Sequence, residues 1–202
     1  MEELLTYASR LNKRGFKAQC FETGDLAKQY ALDLIGAQSV GIGASVTIEQ
    51  LGLYDALIEN GNTVFWHWKS DVQEWNDIFY KANRADVYVS SINAILESGA
   101  MVNIDGNGNR AASLFFGPKM AIIIAGRNKL CTNYEDGISR IKCEACPGAT
   151  KHLGLSTPCA ITGTCTDCYS PGRACNVTVI HERPSRAVKT VHVLLVDELL
   201  GY

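Results

Sequence analysis

Through roughly its first 140 residues the chain alternates short apolar runs with stretches of helical period, and that alternation restricts the fold more than any other feature. FKAQCFE, SVGIGAS, NTVFWHW, the start of ADVYVSSINAIL, AMVNID and KMAIIIAG read as strands. Residues 2–13, GDLAKQYALDLI, TIEQLGLYDALIEN, DVQEWNDIFYKAN and EDGISRIK read as helices. Strands separated by helices of this length need crossover connections, which predicts a mainly parallel α/β sheet. A continuous apolar run such as AIIIA fits a central strand covered on both faces.

After residue 142 the pattern gives way to a loop rich in Cys, Gly and Thr. Strand character resumes with NVTVIHER and TVHVLLVDE, which could pair as a hairpin across RPSRAVK. The cysteine stretch, at about 143–176, is thus an excursion within one domain spanning residues 1–202, with no linker or internal repeat. A chain of 202 residues is long enough to bury a core without disulfides.

A net charge of -2 supplies no electrostatic reason to bind nucleic acid or an anionic membrane. MEELLTYASRLNKRGF lacks the unbroken apolar core of a secretory signal, and MAIIIAG is too short to span a bilayer. The expectation is a cytoplasmic protein. In that reducing compartment clustered cysteines bind metal or do redox chemistry more readily than they form structural disulfides.

Two cysteine groupings compete. Cys143, Cys146, Cys165 and Cys168 form two CxxC pairs with zinc-ribbon spacing, each pair supplying two thiolates to a tetrahedral ion. Cys159, Cys165, Cys168 and Cys175 form the compact set C-x5-C-x2-C-x6-C, a spacing able to wrap an iron–sulfur cluster. Spacing alone leaves zinc and iron–sulfur level. Cys20 and Cys131 read as small buried hydrophobes.

Two glycine-rich turns supply the remaining candidates. SVGIGASVTIEQLG carries Gly41, Gly43, Ser45 and Thr47 between a strand and a helix, where backbone N–H groups and hydroxyls can hold an anion. The plain alternative is tight packing, with Thr47 as N-cap and Gln50 completing a capping box. In ILESGAMVNIDGNGNRAA, Glu97 could act as nucleophile or general base, and Asn109 and Arg110 could hold an anionic substrate. The alternative there is a hairpin whose Asp-Gly and Asn-Gly pairs only supply positive φ. Strand alternation in NTVFWHW puts His67 on the opposite face from Trp66 and Trp68, as a hydrogen-bonded structural side chain or an acid–base group. His152, His181 and His192 give weaker signals.

The runs ADVYVSSINAILESGAMVNIDGNGNRAASLFFGPKMAIIIAGRNKL and TPCAITGTCTDCYSPGRACNVTVI resemble the short, cysteine-bearing branch of the lactate-utilisation (LUD) domain family. GNGNR, FGPK and PC-x5-C-x2-C carry the likeness. The resemblance implies a Rossmann-like three-layer α/β sandwich of the NagB/RpiA/CoA-transferase type, with the cysteine-rich loop near the C-terminus. It favours the compact set, so that Cys159, Cys165, Cys168 and Cys175 would hold a [4Fe–4S] cluster, with zinc as the alternative. KCEACPGATKHLG departs from the family's usual segment, which sets Cys143 and Cys146 apart.

By the same resemblance the chain is expected to be a redox component in the oxidation of lactate or a related small carboxylate. Its expected partners are a small anionic metabolite, a redox partner protein and further copies of itself. The alternative is a non-redox binding protein or transferase-like enzyme for an anionic or CoA-like metabolite. Glu97-Ser98-Gly99 would then be the catalytic Glu-x-Gly and the cysteine site would be structural.

Overall fold

The computed structural model describes residues 1–202. In chain order its elements are α1 (Glu2–Lys13), β1 (Lys17–Phe21), α2 (Gly24–Ile35), β2 (Val40–Ile42), α3 (Val46–Gln50), α4 (Leu53–Glu59), β3 (Val64–Phe65), α5 (Trp75–Arg84), β4 (Val87–Ser90), β5 (Ala94–Leu96) and β6 (Met101–Asp105). There follow α6 (Asn109–Phe115), β7 (Met120–Gly126), β8 (Leu130–Cys131), α7 (Tyr134–Arg140), α8 (Cys146–His152), α9 (Pro158–Thr162), β9 (Val177–His181) and β10 (Thr190–Val196). No helix is long and apolar enough to cross a membrane.

Six strands form one parallel sheet in the order β1-β10-β7-β4-β2-β3. Successive side chains of a strand point to opposite faces, and two interior strands, β7 and β10, divide their residues accordingly. Ile122, Ile124, Leu194 and Val196 enter one core with α2, α3 and α4, through Ala27, Ala31, Ile48 and Leu57. Ala121, Ile123, Val193 and Leu195 enter the other, with Leu4 and Leu11 of α1 and Leu114 of α6. This double burial is the physical reason for the unbroken apolar runs.

A second sheet, β8-β5-β6-β9, lies against the α1 side and is mixed, with β5–β8 parallel and β5–β6 and β6–β9 antiparallel. The chain passes between sheets at Ser91–Asn93, so ADVYVSSINAIL supplies β4 to one sheet and β5 to the other. Ile95 and Met101 face the main core. Ala94, Leu96, Val102 and Ile104 face a third cluster with Ile141, Ala145 and Cys146.

Three expectations need correction. NVTVIHER and TVHVLLVDE do not form a hairpin, because β9 pairs with β6 and β10 inserts between β1 and β7. TIEQLGLYDALIEN is two helices, broken where Gly52 takes a positive φ of 61°. The residues after 142 are not all loop: α7 continues through a π-helical turn, Ile141–Ala145, into α8, which places Cys143 and Cys146 on helical backbone.

Candidate functional site

The residues that follow four parallel strands meet at one edge of the main sheet. Ser45 and Thr47 follow β2, His67 and Trp68 follow β3, Ser91 and Asn93 follow β4, and Lys129 follows β7. All line one cavity of about 410 Å³. Helix α6 adds Asn109 and Arg110, and α8 adds Cys146 and His152. The carboxyl edge of a parallel sheet is where α/β proteins place ligands, since the strand-to-helix turns there present side chains and N–H groups together.

Ser45 caps α3, its Oγ accepting from the Ile48 N–H at 3.3 Å. The expected capping box is therefore shifted: Thr47 lies inside the helix, its hydroxyl donating to the Leu200 carbonyl at 3.2 Å. Gln50 instead accepts from the Gly201 N–H at 2.7 Å. Gly41 and Gly43 are not in the cavity wall. A Cβ on Gly41 would collide with the Ala82 backbone, and one on Gly43 would lie 2.7 Å from Ser90 Oγ. Their role in this geometry is close packing.

Asp105, at the end of β6, leads through Gly106–Gly108 directly into α6, so GNGNR is a strand-to-helix turn and not a hairpin. Asp105 accepts from Arg110 Nε at 2.8 Å and from the Ala111 N–H at 2.7 Å. Arg110 Nη2 also donates to Asn93 Oδ1 at 2.7 Å and to the Ile104 carbonyl at 3.0 Å. With most of its donors spent on buried partners, Arg110 braces the cavity floor more than it offers a free clamp.

Lys129 carries the charge that the sequence reading missed. It is 3% exposed, and its Nζ donates to Thr47 Oγ1 and Ser91 Oγ, each at 2.8 Å. Burial holds its amine well below the ordinary lysine range, and the Arg140 and Arg110 guanidiniums add to the effect. Its sequence signal is faint: a lysine just beyond a fully buried strand.

Glu97 sits elsewhere. Its backbone N–H donates to the Cys131 carbonyl at 2.8 Å. Its carboxylate pairs with Arg10 Nη1 at 2.7 Å in a half-exposed ion pair, away from the residues that line the cavity. The strand expected through His67 ends at Phe65, and the imidazole sits in a short 3-10 turn. It packs among rings, with centroids 5.1 Å from Trp75 and 4.8 Å from Phe79, and burial pushes it down to about 4. His152 reaches the same cavity, its Nε2 3.4 Å from Glu49 Oε2.

Beside this cavity lies a smaller one walled by Cys146, Cys159, Cys165, Cys168 and Cys175. The compact set is thus brought to one place, and Cys146 joins it from α8 while Cys143 stays exposed. The thiols ring the space without three of them closing on a single ion position. Thr150 and Thr157 hydroxyls lie 3.4 Å from Cys159 Sγ, and Arg173 Nε donates to Cys175 Sγ at 3.3 Å. Burial, reinforced by Cys175, Cys159 and Cys165, pushes the Cys146 thiol up to about 12. A hydrogen bond with Ser170 lowers Cys168. A wall of thiols with hydroxyl and guanidinium donors and no carboxylate is a donor set suited to iron–sulfur or zinc ligation. Cys146, Arg173 and Ala174 belong to both cavities.

These features define an α/β domain with a cavity at the carboxyl edge of its parallel sheet and a nest of thiols against one wall. Residues 5–196 match the LUD domain family, and the chain belongs to that family. Its fold is similar to the crystal structure of a DUF162 family protein from Deinococcus radiodurans, with a TM-score of 0.56 and 13% identity over 96% of each chain. No match is found among curated proteins.

Proposed function

We propose that this LUD-domain chain is a redox component acting on lactate or a related small carboxylate. In this reading Cys159, Cys165, Cys168 and Cys175 hold a [4Fe–4S] cluster beside the carboxylate cavity. The observation that carries it is the shared wall: the thiol-lined space and the larger cavity have Cys146, Arg173 and Ala174 in common. When bound, the cluster would supply one-electron chemistry, with a potential set by its net charge, hydrogen bonds to sulfur and exposure.

The chain's own residues do the rest. Arg173 holds the cysteine loop, donating to Cys175 Sγ and, at 2.6 Å, to the Cys168 carbonyl. Ser45, Thr47, Asn109 and Lys129 present polar groups to the ligand cavity. A redox partner would exchange electrons at the exposed face of the cysteine segment, where Tyr169 is 98% exposed. The NagB/RpiA/CoA-transferase type remains our proposed classification of the fold.

Anaerobic purification followed by absorption spectroscopy and iron, zinc and sulfide analysis tests the reading. About four iron and four sulfide per chain, with visible absorption that bleaches reversibly on reduction, is the expected result. A colourless protein with one zinc per chain would replace it with a structural metal site.

A further inference from the structure

The 410 Å³ cavity has a buried cation and an aromatic wall, and together they specify a ligand. An ammonium has three donors. Lys129 spends two on Thr47 and Ser91, leaving one position for a further partner. None of the protein's ion pairs includes Lys129.

The groups around it do not cancel its charge. From α3 comes the Thr47 hydroxyl, from the turn after β4 the Ser91 hydroxyl, and from the C-terminal segment Gly201, where a Cβ would lie 3.4 Å from Nζ. The charged neighbours are Arg140 of α7 and Arg110 of α6. Arg110 is matched by Asp105. Arg140 donates to the Asn128 and Asn93 carbonyls at 2.6 and 2.7 Å, and its Nη2 is buried without a partner. Buried positive charge without a counterion is costly, and an anion entering the cavity relieves that cost.

Trp68, Trp75 and Phe79 line the same cavity. Rings pack well against rings, by offset or edge-to-face contact. An acid the size of lactate would leave most of the volume to water, whereas sites of this size ordinarily enclose larger, partly apolar ligands.

We propose that the cavity binds a carboxylate bearing an aryl group, with the carboxylate received by Lys129 and the ring lodged against Trp68, Trp75 and Phe79. This deepens the reading of the cavity as a carboxylate pocket and does not depend on the cluster.

The test is titration calorimetry of the full chain with 3-phenyllactate, lactate and inorganic phosphate. Phenyllactate is expected to bind at least about tenfold tighter than lactate. Phosphate is expected not to compete. Lys129→Met is expected to weaken phenyllactate at least about tenfold. Trp75→Leu, a surface-proximal change, is expected to reduce its advantage over lactate and serves if the lysine variant fails to fold.

Equal affinity for lactate, displacement by phosphate, or full binding by a folded Lys129→Met protein would each overturn the proposal. So would binding of neither acid. Iron and sulfide content is measured separately, so an iron-loaded protein that ignores aryl acids would sink this inference and leave the redox reading standing.

Discussion

Lys129 Nζ lies 2.8 Å from Thr47 Oγ1, joining the turn after β7 to the first turn of α3 in the wall of the larger cavity. The Thr47 hydroxyl itself donates to the Leu200 carbonyl, so one threonine ties three separate segments together. Thr47→Val keeps the shape and removes both bonds, leaving a buried amine and a carbonyl each short of a partner. The expected cost is about 2 kcal/mol, read as a lower urea midpoint with an unchanged slope.

The cysteines separate by position. Cys165→Ser should lower metal content and loosen the segment from about 143 to 176, because ligation there is coupled to folding. Cys143→Ser should leave the metal stoichiometry unchanged, since that thiol is exposed and outside the thiol-lined cavity. Metal analysis of both variants, with limited proteolysis of the segment, checks the pair. Unchanged metal in Cys165→Ser would remove the compact set from consideration.

Glu97 pairs with Arg10 at a half-exposed position, and exposed ion pairs contribute about 1 kcal/mol or less. Glu97→Gln should therefore shift stability only slightly and leave metal content intact. Its Arg10 partner also donates to the Glu97 carbonyl at 2.7 Å, a bond the substitution spares. A loss of metal in Glu97→Gln would mean that the two sites communicate through a route the geometry does not contain.

Asp105 and Arg110 form a buried ion pair, and the pair also organises the turn into α6 through the Ala111 N–H. Asp105→Asn keeps the volume but leaves the guanidinium without its counterion near Lys129 and Arg140. The expected destabilisation is about 3–5 kcal/mol, measured by thermal or denaturant unfolding. Replacing both partners by apolar residues of similar volume should cost less than the single change.

Local order was written plainly in the sequence. The acid-first, base-last pattern of α1 and the periodicity of GDLAKQYALDLI recover Glu2–Lys13 and Gly24–Ile35, and MAIIIAG is a central strand with both faces covered. What periodicity could not reveal was partner choice. NVTVIHER and TVHVLLV are neighbours in the chain, yet β10 is buried from Val191 to Val196 while β9 exposes Val177 and Ile180, and that difference sends them to different sheets. Asp-Gly and Asn-Gly serve a strand-to-helix turn as well as a hairpin, so GNGNR was ambiguous by chemistry. Cys146 was paired with Cys143 by its CxxC spacing, and the helical backbone that buries Cys146 beside the compact set while leaving Cys143 exposed was not legible there. Spacing left the two cysteine groupings level and the family resemblance chose the compact set, while the cation of the cavity, Lys129, depends on where four strands end and no short motif encodes it.

Buried histidines are expected to lower the stability of the fold in mild acid. Burial holds His67 down at about 4. His181, with its Nε2 buried and unpartnered, is also lowered to about 4 by burial and by Arg110, against an opposing pull from Asp105. His192 is lowered too, by burial and by Lys17. An unfolded histidine titrates near 6.5, so above that pH these imidazoles are neutral in both states and their contribution is fully present. As the pH falls from about 6.5 towards about 4 the unfolded chain takes up protons that the native chain refuses, and stability declines. The decline from each of His67 and His181 is at most about 3 kcal/mol and levels off below about 4. Urea midpoints measured between about pH 7 and pH 5, above the range where carboxylates titrate, isolate this effect. The double variant His67→Phe, His181→Phe should show a much shallower decline, with the remainder due to His192. An equally steep decline in that variant would show that these imidazoles are not what makes the protein acid-sensitive.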